Sequence, residues 1–165
     1  MIISMESALE HMKWANQRVF SLISQLPDAS LSAYVTNPEW NVAEILRHIA
    51  FSSGRYRERL SGKPTEEIEI PQTMNDLLII TEKLHDSDAE LLILAEEPEG
   101  DVAISRDGQT SLWKRSTIIS QAVHHATEHR AQANSALEAK GFNPVDLDDF
   151  DVWSYESRNG IRFVI

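Results

Sequence analysis

Four long stretches of this chain repeat apolar residues every three to four positions, the period of a helix with one buried face. The first runs from Ser4, a capping residue, to Gln25, with Leu9, Met12, Val19, Leu22 and Ile23 on one face and Pro27 ending it. The second begins at Asn41, whose side chain can cap the first turn, and reaches Leu60 before Ser61-Gly62-Lys63-Pro64. Pro71 and Thr73 introduce the third, Met74 to Ala95, which carries Leu77, Leu78, Ile80, Leu84, Leu91 and Leu92. The fourth opens at Ser116 or Thr117 and closes at Gly141, with Pro144 just beyond as a stop signal. A helix with one apolar stripe has to bury it against a neighbour, so the expected fold is an all-α, antiparallel four-helix bundle. The 165 residues suit a single domain, 1–165. Loop lengths admit either simple up-down order or a long crossover.

Two regions break the helical pattern. Between Asp101 and Lys114, short alternating stretches (Val102, Ile104; Thr110, Leu112) flank Asp107-Gly108, which predicts a small hairpin with a tight turn or a mobile loop. From Phe142 onward, Asp146, Asp148, Asp149 and Asp151 alternate with Phe150, Trp153 and Tyr155, so the aromatic residues are expected to pack back on the bundle while the acids face water.

Composition narrows the function. Fifteen basic against 26 acidic side chains give a net charge of -11, which repels a phosphate backbone, so nucleic acid is not expected as a partner. No apolar run approaches the roughly 20 residues that span a bilayer, and Met1-Ile2-Ile3-Ser4-Met5-Glu6 lacks the features of a signal peptide, so a cytoplasmic location without membrane association is expected. There is no cysteine, hence no disulfide, no thiolate ligand and no internal nucleophilic thiol. Any thiol chemistry needs a thiol from outside.

The fourth helix carries His125 and His129, one turn apart and on the same face, beside the stripe of Ile118, Ala122, Ala126, Ala133, Ala136 and Leu137. Burying an imidazole without a partner costs on the order of 1–3 kcal/mol, so two of them require hydrogen bonds or a metal. His124 is turned about 100° away, toward solvent. On the second helix, Val42, Ile45, Ile49 and Ser52 or Ser53 form the inner face, and His48 points the same way. A third neutral imidazole would complete a facial set of three nitrogens and leave a coordination position open for substrate or water. The competing reading makes His48 a core-edge residue bonded to a carbonyl or to Glu44. His11 and His85 sit among polar neighbours and read as surface residues.

The motifs Trp40-Asn41-Val42-Ala43-Glu44-Ile45-Leu46-Arg47-His48-Ile49 and His125-Ala126-Thr127-Glu128-His129-Arg130-Ala131-Gln132 resemble those of the DinB-like (DinB/YfiT) metal-binding four-helix-bundle family. Trp14-Ala15-Asn16 and the stretch from Leu147-Asp148 through Tyr155 are similar to that family too, so the resemblance spans almost the whole chain. It implies an up-down-down-up bundle in which His48, His125 and His129 bind one divalent metal, often zinc or nickel, and it implies homodimers. Ala131 stands where many members have Gly.

Members with known chemistry include transferases that join a low-molecular-weight thiol to an electrophile, and a thiol-dependent isomerase. The resemblance thus implies a metal-dependent thiol transferase acting on a small-molecule substrate. Alternatives are a metal-dependent hydrolase, a non-enzymatic metal-binding or small-molecule-binding stress protein, and a plain helical interaction module. Catalytic side chains beyond the metal set are not assigned. Glu44 and Glu128 are the nearest candidates to hold the outer nitrogens of the histidines. Arg130 has two readings, orienting an anionic substrate or the carboxylates of a thiol cofactor, or pairing with Asp148 or Glu156. Trp40 packs ahead of the helix cap, and Tyr56 fills the core or reaches the cavity rim.

Overall fold

The computed structural model describes residues 4–143 and 145–158; the expected stop signal Pro144 lies outside them. Helices α1 (Met5–Ile23), α2 (Val42–Ser61), α3 (Met74–Ala95) and α4 (Arg115–Glu138) dominate the chain. A two-stranded antiparallel sheet, β1 (Asp101–Arg106) and β2 (Gln109–Lys114), precedes α4, and a short α5 (Val152–Arg158) follows it. The chain is therefore mostly helical, as the periodicity predicts.

The start signals act through their side chains. Ser4 accepts a hydrogen bond from the Ser7 amide and Asn41 from the Glu44 amide, while Thr73 and Asp76 close a reciprocal capping box. The fourth helix differs from expectation at its start. It begins at Arg115, and its first amides are satisfied from the preceding segment, Arg115 by the carbonyl of Gly100 at 3.0 Å and Ser116 by Glu99 at 3.3 Å. Neither Ser116 nor Thr117 is needed as a cap, because β2 delivers the chain directly into the helix. At the other end Gly141, at φ 82°, adopts the left-handed conformation that closes the last turn.

Helices α1 and α2 each pack against both α3 and α4, so the order around the bundle is α1, α3, α2, α4. The segment after α1 gathers two helix starts: the Val42 amide donates to the carbonyl of Ala33 and the Met74 amide to the carboxylate of Asp28. The connection from α2 to α3 runs back along α2, where Arg57 donates to the carbonyl of Pro64. Thr65 crosses so closely over Gly54 that a Cβ there would stand 2.7 Å from the Thr65 methyl. At the far end, the Arg115 guanidinium donates to the carbonyl of Leu94 and ties the end of α3 to the start of α4.

The interior is divided. One apolar cluster includes Val19, Phe20, Ile23, Leu46, Ile49, Leu77, Leu84 and Leu137; a second includes Leu9, Met12, Tyr56, Leu60, Leu91, Ile118 and Ala122. Between them every long helix contributes a buried polar residue: Asn16 from α1, Ser53 from α2, Asp88 from α3 and Arg130 from α4. Asp88 accepts from Ser53 at 2.6 Å and from Asn16 at 2.8 Å, and the Asn16 carbonyl oxygen accepts from Arg130 at 2.6 Å. This layer satisfies groups that would otherwise cost several kcal/mol each to bury.

Three surface expectations are corrected. His11 is buried, because the turn at 147–150 folds over it; its Nε2 meets the carbonyl of Phe150 at 2.9 Å, and Trp14 and Tyr155 flank its ring. Of the tail aromatics, Phe150 is buried and Tyr155 packs on Trp14, but Trp153 is 83% exposed, on the outer side of a helix only two turns long. Leu78, counted in the α3 stripe, is 50% exposed, since it precedes the buried Ile80 by two positions and so falls on another face.

Candidate metal centre

Three imidazoles meet between α2 and α4. The one-turn spacing of His125 and His129 brings their ring centroids to 4.2 Å, and His48 reaches across from α2 to lie 4.9 Å from His125 and 4.7 Å from His129. The Nε2 atoms of His48 and His125 are 3.0 Å apart, and one ring nitrogen from each of the three lies within 4.8 Å of the other two. Two nitrogens bound at about 2.0–2.1 Å to one tetrahedral cation stand roughly 3.3 Å apart, so the spacing suits a common ion. The three residues could hold a metal ion, and all are half-buried.

The protonation states agree with that use. Burial, followed by repulsion from neighbouring His129, lowers the pKa of His48. Burial and the two neighbouring imidazoles lower that of His125 to about 4. At neutral pH both rings are uncharged and their lone pairs are available to a cation.

The orientation of His129 is set by a residue the sequence reading overlooked. Gln132 Oε1 lies 3.0 Å from the indole nitrogen of Trp40 and 2.9 Å from His129 Nδ1. Indole N–H is only a donor, so the amide atom facing it is the oxygen, and the Nδ1 that meets the same oxygen has to carry a proton. The lone pair of His129 is thereby assigned to Nε2. The signal was available in sequence: Gln132 follows His129 by three positions and so shares its face. Trp40 also meets the rings of His48 and His129 edge-on at 5.2 and 5.6 Å, which gives it a role at the cluster beyond packing ahead of the cap.

The other expected neighbours are placed differently. Glu44 is engaged by Arg47, whose Nε donates to it at 2.8 Å, and Glu128 is exposed. His124 faces solvent, bonded through Nδ1 to the carbonyl of Ser120, and His85 stays at the surface beside Asp86. Arg130 pairs with neither Asp148 nor Glu156. Its guanidinium is buried in the polar layer, donating to Asn16 and to Thr127, where an anionic ligand reaches it only by entering that layer. Tyr56 is buried and presents its ring edge to His125, 5.7 Å between centroids.

A helical bundle with a half-buried three-histidine cluster between two of its helices defines a class of protein that can carry a metal ion in its interior. The DinB family model matches residues 1–158, and the chain belongs to the DinB family. It is also similar to Protein DinB of Bacillus subtilis (strain 168), with 21% identity over 159 residues that cover 84% of this chain and 87% of that one.

Proposed function

We propose that this protein binds one divalent metal ion, zinc or nickel, through His48, His125 and His129, and uses it to activate a low-molecular-weight thiol for attack on an electrophilic small molecule. The observation that carries the reading is the convergence of three imidazoles, with His48 Nε2 and His125 Nε2 3.0 Å apart. A divalent cation held by three neutral ligands supplies an open position and draws the pKa of a thiol down from about 8.5, so that thiolate is present at neutral pH.

The chain's own residues do the rest. Burial keeps His48 and His125 uncharged, and Gln132 holds the proton of His129 on Nδ1 so that Nε2 faces inward. Trp40 covers one side of the cluster, and its indole N–H anchors the Gln132 amide. Because the chain has no cysteine, the thiol is a second substrate rather than part of the protein.

The same reading includes the up-down-down-up order of helices, favoured by the common anchoring of the starts of α2 and α3 on the 28–33 segment and by a connection that retraces α2. It also includes a cytoplasmic homodimer. Exposed Leu78, Ile79 and Ile93 on α3 offer apolar surface for pairing, and no helix among the described residues is long and apolar enough to cross a membrane.

The test compares chelator-stripped protein, zinc- or nickel-loaded protein and the loaded His48→Ala variant, each given 1-chloro-2,4-dinitrobenzene with cysteine or with glutathione. Faster adduct formation by the loaded wild type alone is the expected result. Equal rates in all three samples overturn the proposal, and metal-dependent cleavage of p-nitrophenyl acetate without thiol would move the chemistry to hydrolysis.

A further inference from the structure

The hairpin closes only partly onto the bundle, through Val102 and Ile104. Its strands pair in register, Val102 with Trp113, Ile104 with Ser111 and Arg106 with Gln109, around a turn in which Asp107 and Gly108 both have positive φ. Alternation along the strands puts those residues on one face, the face turned toward α2 and α4. Only Val102 and Ile104 are partly covered; Trp113, on the same face, remains 49% exposed. A two-stranded hairpin is marginal on its own and is stabilised by packing; this one packs on the second apolar cluster through Val102 and Ile104, and its part toward the turn lines a cavity of about 590 Å³.

The chemistry of the walls is uneven. Tyr56, Ile104 and Trp113 supply aromatic and apolar surface, Gln121 an amide, and Arg59 and Arg106 two cations. Arg59 lies over the Tyr56 ring at 5.5 Å and has no carboxylate partner among the described residues, in a chain whose net charge is -11. The single acid of the lining, Asp107, stands 3.5 Å from Arg106 at the exposed turn. Tyr56 is shared with the metal centre, since its edge meets His125, and Gln121 precedes His125 by one helical turn.

We infer that this cavity binds a small aromatic carboxylic acid, its ring between Tyr56 and Trp113, its carboxylate on Arg59 and Arg106, and its opposite end directed past Tyr56 toward the three histidines. The volume is that of a small-molecule site, and a lining that holds two aromatic side chains and two guanidinium groups matches an acid with a flat apolar body. The direction of the opposite end rests on the metal-centre reading above; the binding of the acid does not.

Calorimetric titration of full-length protein tests it with three probes: 4-phenylbutyrate, its neutral amide, and 4-(4-mercaptophenyl)butyrate, whose thiol extends away from the carboxylate. Expected results are saturable binding of the acid, about tenfold weaker binding of the amide, and a similar loss for the acid in Arg59→Gln/Arg106→Gln, two exposed positions whose change leaves the core intact. The acid should bind His48→Ala as it binds wild type, whereas the thiol probe should bind zinc-loaded wild type about tenfold more tightly than His48→Ala.

Equal binding of acid and amide, indifference to the arginine pair, or no saturable binding overturns the site. Loss of acid binding in His48→Ala alone means a carboxylate on the metal, and also overturns it. A thiol probe that does not distinguish wild type from His48→Ala overturns the direction. Zinc titrated alone separates the two readings: zinc uptake without acid binding sinks the cavity, and acid binding without zinc uptake sinks the metal centre.

Discussion

Gln132 accepts a hydrogen bond from Nδ1 of His129 at 2.9 Å, and this contact decides which nitrogen of His129 faces the other two imidazoles. The same oxygen is held by the Trp40 indole, so two residues of α4 and one from the segment ahead of α2 fix one tautomer. Outer contacts of this kind typically contribute 10- to 100-fold to metal affinity.

Replacing Gln132 with Leu should therefore weaken zinc binding by about 10- to 100-fold while leaving helix content unchanged. Competition with a chromophoric chelator measures it. Trp40→Phe keeps the ring contacts but frees the amide to rotate, and should fall between wild type and Gln132→Leu. Wild-type affinity in Gln132→Leu would remove the residue from the site.

A pH dependence follows from Asp88. Burial pushes its carboxyl from 3.8 up to about 6, against the opposing hydrogen bonds from Ser53 and Asn16 and the nearby Arg130. The folded protein then holds this proton more tightly than the unfolded chain does, so the stabilising contribution is complete below about pH 3.8 and is lost as pH rises through about 6. The lowered values of His48 and His125 act in the opposite sense, present above their unfolded value and lost on acidification. The stability of wild type minus that of Asp88→Asn isolates the carboxyl. That difference should fall by about 1–3 kcal/mol between pH 4 and pH 7 in urea unfolding, and a flat or rising difference would contradict the assignment.

Arg130 is the cation of the same buried layer. Removing it as Arg130→Met leaves Asn16 Oδ1 without its donor and takes away the cation that favours ionised Asp88, and should cost about 1–3 kcal/mol, whereas Arg130→Met/Asp88→Leu replaces both charges with apolar volume and should recover much of that loss. Chemical denaturation of both variants at pH 7 decides. A double variant no more stable than the single one would mean that the layer's value lies in its hydrogen bonds rather than in charge compensation.

Gly54 sits where the returning segment crosses α2. A methyl there meets the Thr65 methyl at 2.7 Å, on a short branched side chain with little freedom to move aside. Gly54→Ala should destabilise by about 1–3 kcal/mol despite its better helix propensity, and Thr65→Ser in the same chain should restore part of the loss. Thermal unfolding of the two single variants and the double variant reads the coupling, which should be absent if the crossing segment can lift away.

Much of the layout was legible beforehand because it is written in local chemistry. Ser4, Asn41 and Thr73 cap their own helices, and Asp107-Gly108 makes its own turn; each interaction closes within a few residues, so spacing alone predicts it. The stripe of Ile118, Ala122, Ala126 and Ala133 is buried as its periodicity requires. The meeting of His48 with His125 and His129 follows from family resemblance and inward position rather than from any local rule.

What escaped depends on partners distant in the chain. His11 has polar neighbours in sequence, and its burial is decided by Phe150, 139 residues away. Asn16, Ser53, Asp88 and Arg130 each stand on an apolar face as an isolated polar residue, and only their convergence gives the layer a meaning. By itself the sequence determined where the first three long helices begin, most of the faces they bury and which residues could bind a metal, because backbone and capping forces act over a single turn. Only the tertiary structure decided which rings meet, that Trp40 holds the Gln132 amide in place, and where a cavity opens under the hairpin, because those depend on contacts between segments distant in the chain that no local pattern encodes.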